Sequence, residues 1–295
     1  MQDYQEYLNA FISYIFIEKG LAKNTAVSYR LDLMQFFEHL SKNNLNLFAI
    51  THQDITEFLF KLKTDGLKSS SIYRMMESIK QFYKFLVYEN KLSDNPAQNI
   101  ASPRIASNIP EILSVQEVDV LLKSIPDTNI INIRNRAMFE LAYACALRVS
   151  ELVALRFEDI NFKENFLIVK NGKGSKQRVV PFGQTAKNYL EIYLRNRKPN
   201  TDPREFIFYS KKSKQVSRIT VSHALSALAK KAGFTKRVYP HILRHSCASH
   251  LLNGGADIRF VAEILGHSSI STTQIYTHLD TKQIQQKHKQ FHPRG

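Results

Sequence analysis

Pro240-His241-Ile242-Leu243-Arg244-His245, then Leu265-Gly266-His267, then Tyr276, punctuate the last third of a 295-residue chain. Proline is favoured in the first turn of a helix, where its missing N–H is no loss, so Pro240 predicts a helix start. His241 and Arg244 then stand three apart on one face of that helix. A guanidinium beside the positive end of a helix dipole is unfavourable unless an anion lies between them, and the free N–H groups of a helix N-terminus bind anions. The pattern predicts a site that grips a phosphate and attacks it.

Asn253-Gly254-Gly255 closes that helix, and Asp257 opens another through Phe260, Val261, Ile264 and Leu265. Gly266 suits a left-handed cap, which leaves His267 just outside the helix. Ser271 and Gln274 have capping-box spacing, so a further helix is expected there, with Tyr276 in its first turns and its phenol facing the same pocket as His267.

These residues resemble the tyrosine recombinase family, and within it the Xer-type members; the resemblance spans nearly the whole chain. The family's His-x-x-Arg motif falls on His241 and Arg244, its Leu-Gly-His on Leu265, Gly266 and His267, and its nucleophile on Tyr276. The resemblance implies two further positions upstream, Arg148 in Leu147-Arg148-Val149-Ser150-Glu151-Leu152 and Lys173 in Gly172-Lys173-Gly174. The ending Phe291-His292-Pro293-Arg294 is closer to the D-type than to the C-type Xer protein. Two places depart from the family pattern. Cys145-Ala146 replaces the usual Thr-Gly before the Leu-Arg, and Ala is worse than Gly if that turn needs a positive φ; Cys247 stands where a bulky apolar residue is common. Neither change touches a reactive group.

The fold implied by the resemblance is mainly α with a small β-sheet. An N-terminal helical, DNA-binding bundle is expected over residues 1–100, a linker over 101–110, and a mixed α/β catalytic domain with a C-terminal tail over 111–295, clamp-like around DNA. Arg148 and Arg244 can each offer a planar fork of donors to the non-bridging oxygens of a phosphodiester, binding more tightly as charge grows on those oxygens in the transition state. His241 and His267 add hydrogen bonds and can move protons near neutral pH. Tyr276 is the implied nucleophile, forming a 3′-phosphotyrosyl link and releasing a 5′ hydroxyl, with Lys173 as the general acid for that oxygen. Glu151, three residues after Arg148, is read as orienting that arginine. No metal, nucleotide or other cofactor is expected.

Charge distribution agrees with a polyanionic partner. Of the net +15, residues 1 to 110 carry only +1, so the remainder lies on 111 to 295, concentrated between Lys163 and Arg244. Such clustering favours double-stranded DNA over a merely solvated surface, with affinity falling steeply in salt. Arg74 and Lys80 in the bundle, and Lys211, Lys212, Lys214 and Arg218 in the second domain, are the candidate DNA contacts. At 43% hydrophobic the chain is long and apolar enough for two cores, which excludes disorder. No apolar run has membrane-span length and the polar start is no signal peptide, so a cytoplasmic protein is expected. Cys145 and Cys247, the two cysteines, are read as buried thiols.

In the first hundred residues four amphipathic helices are expected: one from Phe11 through Tyr14 and Ile15, and one capped at Asn24 or Thr25 running through Leu31, Met34, Phe37 and Leu40. A third is capped by Thr51, and a fourth opens at Ser69 to Ser71. Their aromatic stripe reads as core. After the proline-punctuated stretch from Asn95 to Pro110, Ser114 with Glu117 predicts a capping box and helices follow to about Leu155. Ile160 to Val169, Gln177 to Phe182 and Glu205 to Tyr209 read as strands, with a hairpin turn at Asn171-Gly172 that puts Lys173 on its tip.

By resemblance the chain acts as a tetramer of two pairs around two duplexes carrying a specific recombination site, with a C-type Xer recombinase in a heterotetramer or as a homotetramer. The implied task is resolving chromosome dimers under a septal DNA translocase, and the tail from Thr281 to Gly295 is a candidate segment for docking into a neighbouring subunit. Rival readings are an integrase or resolvase of a mobile element, disfavoured because no arm-binding domain is expected before Met1, a type IB topoisomerase-like relaxing enzyme, and a DNA-binding regulator that never cuts. A zinc site on His241, His245 and Cys247 lacks a His-Glu-x-x-His pattern, and His245 reads better as a packed or supporting group.

Overall fold

The computed structural model describes residues 2–19, 21, 23–101, 111–170, 177–197, 202, 204–211, 214–266 and 278–295. The chain divides into two compact units, Met1–Asn108 and Ile109–Gly295.

The first unit is built from α1 (Gln2–Ile17), α2 (Lys23–Lys42), α3 (His52–Thr64) and α4 (Ser69–Tyr88). Thr51 starts α3 through a reciprocal capping box, its hydroxyl accepting from the Asp54 N–H while Asp54 accepts from the Thr51 N–H at 2.8 Å. Each helix turns an apolar stripe inward, and Phe11, Phe36, Phe82 and Tyr83 meet at the centre in edge-on ring pairs. Full burial of such rings stabilises by about 1.5–3 kcal/mol each, so the aromatic stripe is core. Tyr83 keeps its hydroxyl satisfied by donating to the Leu47 carbonyl at 3.0 Å. The phase of α2 differs from the sequence expectation. Leu31 and Met34 are 61% and 49% exposed, and the buried face runs through Ala26, Leu33, Phe36, Phe37 and Leu40. Beyond α4, Ala97 and Ile100 tuck into the same core, while the expected linker from 102 onward lies outside the described residues.

The second unit comprises α5 (Val115–Lys123), α6 (Ile130–Ala144), α7 (Val149–Ala154), a 3₁₀ turn (Phe157–Asp159), β1 (Ile160–Asn161), β2 (Phe166–Lys170), β3 (Gln177–Pro181), α8 (Gln184–Asn196), α9 (Arg218–Lys231), α10 (Pro240–Asn253), α11 (Ile258–Leu265) and α12 (His278–Phe291). Helix α6 is buried on all sides from Arg134 to Ala144 and packs on α8 and α10, so it is the axis of this core. Ser114 and Glu117 form the expected capping box at α5. The sheet is antiparallel in the order β1-β2-β3, with Phe166 opposite Pro181 and Lys170 opposite Gln177.

Two strand expectations are corrected. Ile160 to Val169 is a hairpin rather than one strand, because Asn165 takes φ +51° and reverses the chain. Glu205 to Tyr209 makes only isolated bridges, Phe206 to Arg156 and Tyr209 to Gln215. The hairpin tip carrying Lys173 and the expected helix over Ser271 to Tyr276 lie outside the described residues.

The tail from Thr281 to Gly295, the segment expected to dock into a neighbouring subunit, is packed within its own unit when the chain is alone. In this chain α12 packs on β3 and α10 of its own unit, burying Ile284, His288 and His292. Arg294 ends it, pairing with Glu140 on α6 and Asp119 on α5. No helix among the described residues is long and apolar enough to cross a membrane.

Candidate active site

Arg148 is the N-cap of α7, and its backbone N–H and Nη1 both donate to Glu151, at 2.8 Å each. The i to i+3 spacing makes this pair, and it holds Arg148 with 35% of its side chain still exposed. From α10, Arg244 comes to the same carboxylate, its Nη1 3.8 Å from Glu151 Oε2. Arg244 is 5% exposed and anchored by carbonyls, with Nη1 donating to Ala146 at 2.6 Å and Nη2 to Leu265 at 2.5 Å. Burial, then the Arg148 charge beside it, lowers its pKa to about 10, which leaves it cationic at neutral pH.

The Ala146 carbonyl is available because the turn between α6 and α7 runs through a left-handed residue: Ala146 has φ +47°. A residue with a Cβ pays strain there, which the sequence pattern anticipated if the turn needed a positive φ. Cys145 and Cys247 flank this turn, both fully buried. Burial raises both thiols, Cys247 to about 12, so neither is a thiolate at neutral pH.

His241 follows Pro240 at the N-terminus of α10, as the proline predicted, and remains exposed. Partial burial, then the charges of His245, Arg244 and Arg148, hold its imidazole below the usual histidine range. It is therefore neutral near pH 7 and able to accept a proton as well as donate one. His245 is exposed rather than packed, while Cys247 two residues on is in the core, so the zinc arrangement has no common face. Among the described residues no group of three His, Cys, Asp or Glu side chains is arranged to hold a metal.

Helix α11 is capped at Asp257, whose side chain accepts from the Arg259 N–H, and ends at Gly266 in the left-handed conformation with φ +64°. Both termini follow the sequence reading. Lys173, His267 and Tyr276 lie outside the described residues, so of the six candidates Arg148, His241 and Arg244 are the ones seen together.

One member of the cluster was missed. Arg178 on β3 is 3% exposed and donates from Nη1 and Nη2 to the two oxygens of Glu151, at 2.9 and 2.8 Å. Burial raises the Glu151 carboxyl, but the Arg178 and Arg148 bonds and charges more than offset it and hold the group below the ordinary carboxylate range. The signal in the sequence was a lone base leading the apolar run Arg178-Val179-Val180-Pro181-Phe182, since a charge inside a buried strand requires a partner.

The DNA-contact candidates divide. Arg74 donates to the buried Asp32 at 2.7 Å yet leaves 44% of its side chain exposed, and Lys80 donates to the Ile100 carbonyl at 2.9 Å. Lys211, Lys214 and Arg218 are exposed, and Lys212 lies outside the described residues.

Comparison with known proteins follows the same outline. Residues 111–283 match the phage integrase family and residues 8–90 match the N-terminal SAM-like domain of phage integrases. Over its full length the chain is 38% identical to tyrosine recombinase XerD of Proteus mirabilis, covering 95% of that protein, and over 98% of its length it is 39% identical to XerD of Yersinia pestis, covering 97%. Among solved structures it is similar to the XerA recombinase, at 33% identity and a TM-score of 0.51 over 99% of both chains. The fold is shared with the XerH recombinase on its difH substrate, at 24% identity and a TM-score of 0.71 over 88% of this chain and 78% of that one.

Proposed function

The chain belongs to the phage integrase family as a site-specific tyrosine recombinase, a transesterase that cleaves and rejoins DNA strands, and from that premise we propose that Tyr276 is its nucleophile and that Arg148, His241, Arg244, Lys173 and His267 complete its active site. The observation that carries this reading is the convergence of Arg148 and Arg244 on one carboxylate, with the His241 imidazole close enough to feel both charges. Cations held together in excess of their counter-anions suit a phosphodiester whose charge rises during attack.

In the proposed step the Tyr276 oxygen, whose phenol has a reference pKa near 10, attacks phosphorus as nearby cations favour the phenolate, and its proton passes to a neutral imidazole of the site. The bond from phosphorus to the 5′ oxygen breaks, and Lys173 gives that oxygen its proton. A 3′-phosphotyrosine retains the bond energy, so a 5′ hydroxyl from another duplex can reverse the step and join new strands. His241 and His267 bind the non-bridging oxygens alongside the two guanidinium groups. Arginine supplies the charge that other nucleases take from metals, so no cofactor enters.

The XerD relatives, matched along nearly their whole length, support a role in resolving chromosome dimers, in the cytoplasm where the chromosome lies. On that reading the working form is a tetramer with a C-type Xer recombinase, served by a septal DNA translocase. The exposed Lys211, Lys214 and Arg218, with Arg74, support duplex binding.

The decisive experiment incubates the native chain and Tyr276→Phe with a nicked suicide duplex, with and without chelator. The native chain should form a detergent-stable adduct in both conditions, and the variant should bind yet form none. An adduct of normal yield from the variant moves the nucleophile elsewhere; tight binding with no adduct from the native chain would establish the non-cutting regulator.

A further inference from the structure

A carboxylate at the centre of an anion site is a liability, because it repels the phosphate and competes with it for the same guanidinium groups. Glu151 occupies that position and is 7% exposed. It accepts four bonds, two from Arg148 and two from Arg178. Arg178 therefore takes up carboxylate oxygens that would otherwise draw Arg244, only 3.8 Å away. Formally, three guanidinium groups against one carboxylate leave two positive charges, which match the two negative charges of a pentacovalent phosphorane. Without Arg178 one positive charge remains.

Arg178 also reaches the end of α11. Its Nε donates to the Ile264 carbonyl at 2.8 Å, next to the Leu265 carbonyl that Arg244 holds. The last carbonyls of a helix lack partners and carry partial negative charge, so two cations there are favourable. The chain then turns at Gly266, where a Cβ would stand 3.0 Å from Arg178 Cδ. One buried side chain thus ties the Arg148 turn, β3 and the exit of α11 together.

We propose that Arg178 is a positioning residue of strand cleavage: it neutralises Glu151 and anchors the end of α11, so that Arg148 and Arg244 are left to bind the scissile phosphate. This role rests on the strand-cleavage reading above. Arg178 is too buried to touch DNA and acts through its neighbours.

The test compares the full-length native chain with Arg178→Gln, Arg178→Lys and the double variant Arg178→Gln/Glu151→Gln. Two quantities are read on a nicked duplex: the dissociation constant, and the rate of covalent adduct formation at saturating protein. Arg178→Gln should bind DNA within about threefold of the native chain and form adduct about 100-fold more slowly, the size expected when preorganised charge is removed. Arg178→Lys should fall between the two, and removing the stranded carboxylate in the double variant should restore about tenfold. A purely structural role would not separate rate from affinity in this way.

An Arg178→Gln rate within threefold of native, or a deficit abolished by raising the protein concentration, overturns the proposal. Should the glutamine variant not fold, Arg178→Lys decides, and a rate equal to native overturns it. If the native chain forms no adduct, the strand-cleavage reading falls and takes this role with it; if only the Arg178 comparison fails, that reading stands.

Discussion

Nε2 of His288 lies 2.9 Å from the carbonyl oxygen of Ala144, so a histidine of the C-terminal helix is sealed against the end of α6, four residues before Arg148. His292 stacks on it at 4.6 Å between ring centroids. Around them stand His250 and Cys247 on α10, Tyr143 on α6, and Arg294 with its partners Glu140 and Asp119. Burial holds His288 at about 4 and His292 well below the usual value of 6.5. The tail is therefore bound with both rings neutral.

Depressed histidine pKa values contribute stability that is complete above about 6.5 and is lost as pH falls toward 4. Hydrogen exchange should show α12 losing protection across that window before α6 does, and His288→Gln with His292→Gln should flatten the dependence. Unchanged protection of α12 down to about pH 4 would refute the coupling.

Lys173→Ala should slow strand cleavage by roughly 100-fold, within the range for removal of a general acid. A substrate whose leaving oxygen is replaced by a group of lower pKa should recover most of that rate. Rate measurements showing no recovery would remove Lys173 from the acid role.

Neutralising Lys211, Lys214 and Arg218 together should weaken duplex binding evenly across sequences and reduce the slope of log affinity against log salt by about one for each phosphate that the protein no longer neutralises. A salt titration with an unchanged slope would place those side chains away from DNA.

Ala146→Val puts a branched residue at φ +47° in a fully buried turn. The expected cost is about 2–3 kcal/mol in chemical denaturation, with a slower adduct rate because the Ala146 carbonyl holds Arg244. A variant as stable as the native chain would show that the turn accommodates the branch.

Legibility in the sequence followed the range of the interaction. The caps at Thr51, Ser114 and Asp257, the proline start of α10 and the left-handed Gly266 were readable because each is settled within about four residues. The phase of α2 was not, since Leu31 and Met34 are apolar residues that lie on the solvent side and only packing against α1 and α4 picks the buried face. Glu205 to Tyr209 had strand composition but lacks a continuous partner.

Residue types and spacing by themselves determined the chemistry on offer: two arginines, a histidine at a helix start, and a chain whose second part carries nearly all the net positive charge. Tertiary structure decided what those groups do to one another. Arg178 is separated from Glu151 by 27 residues and from Ile264 by 86, so no local pattern could have joined them. A buried carboxylate imposed the junction, because an ionised group removed from water must be surrounded by opposite charge, and the fold brought three guanidinium groups from α7, β3 and α10 to meet that demand.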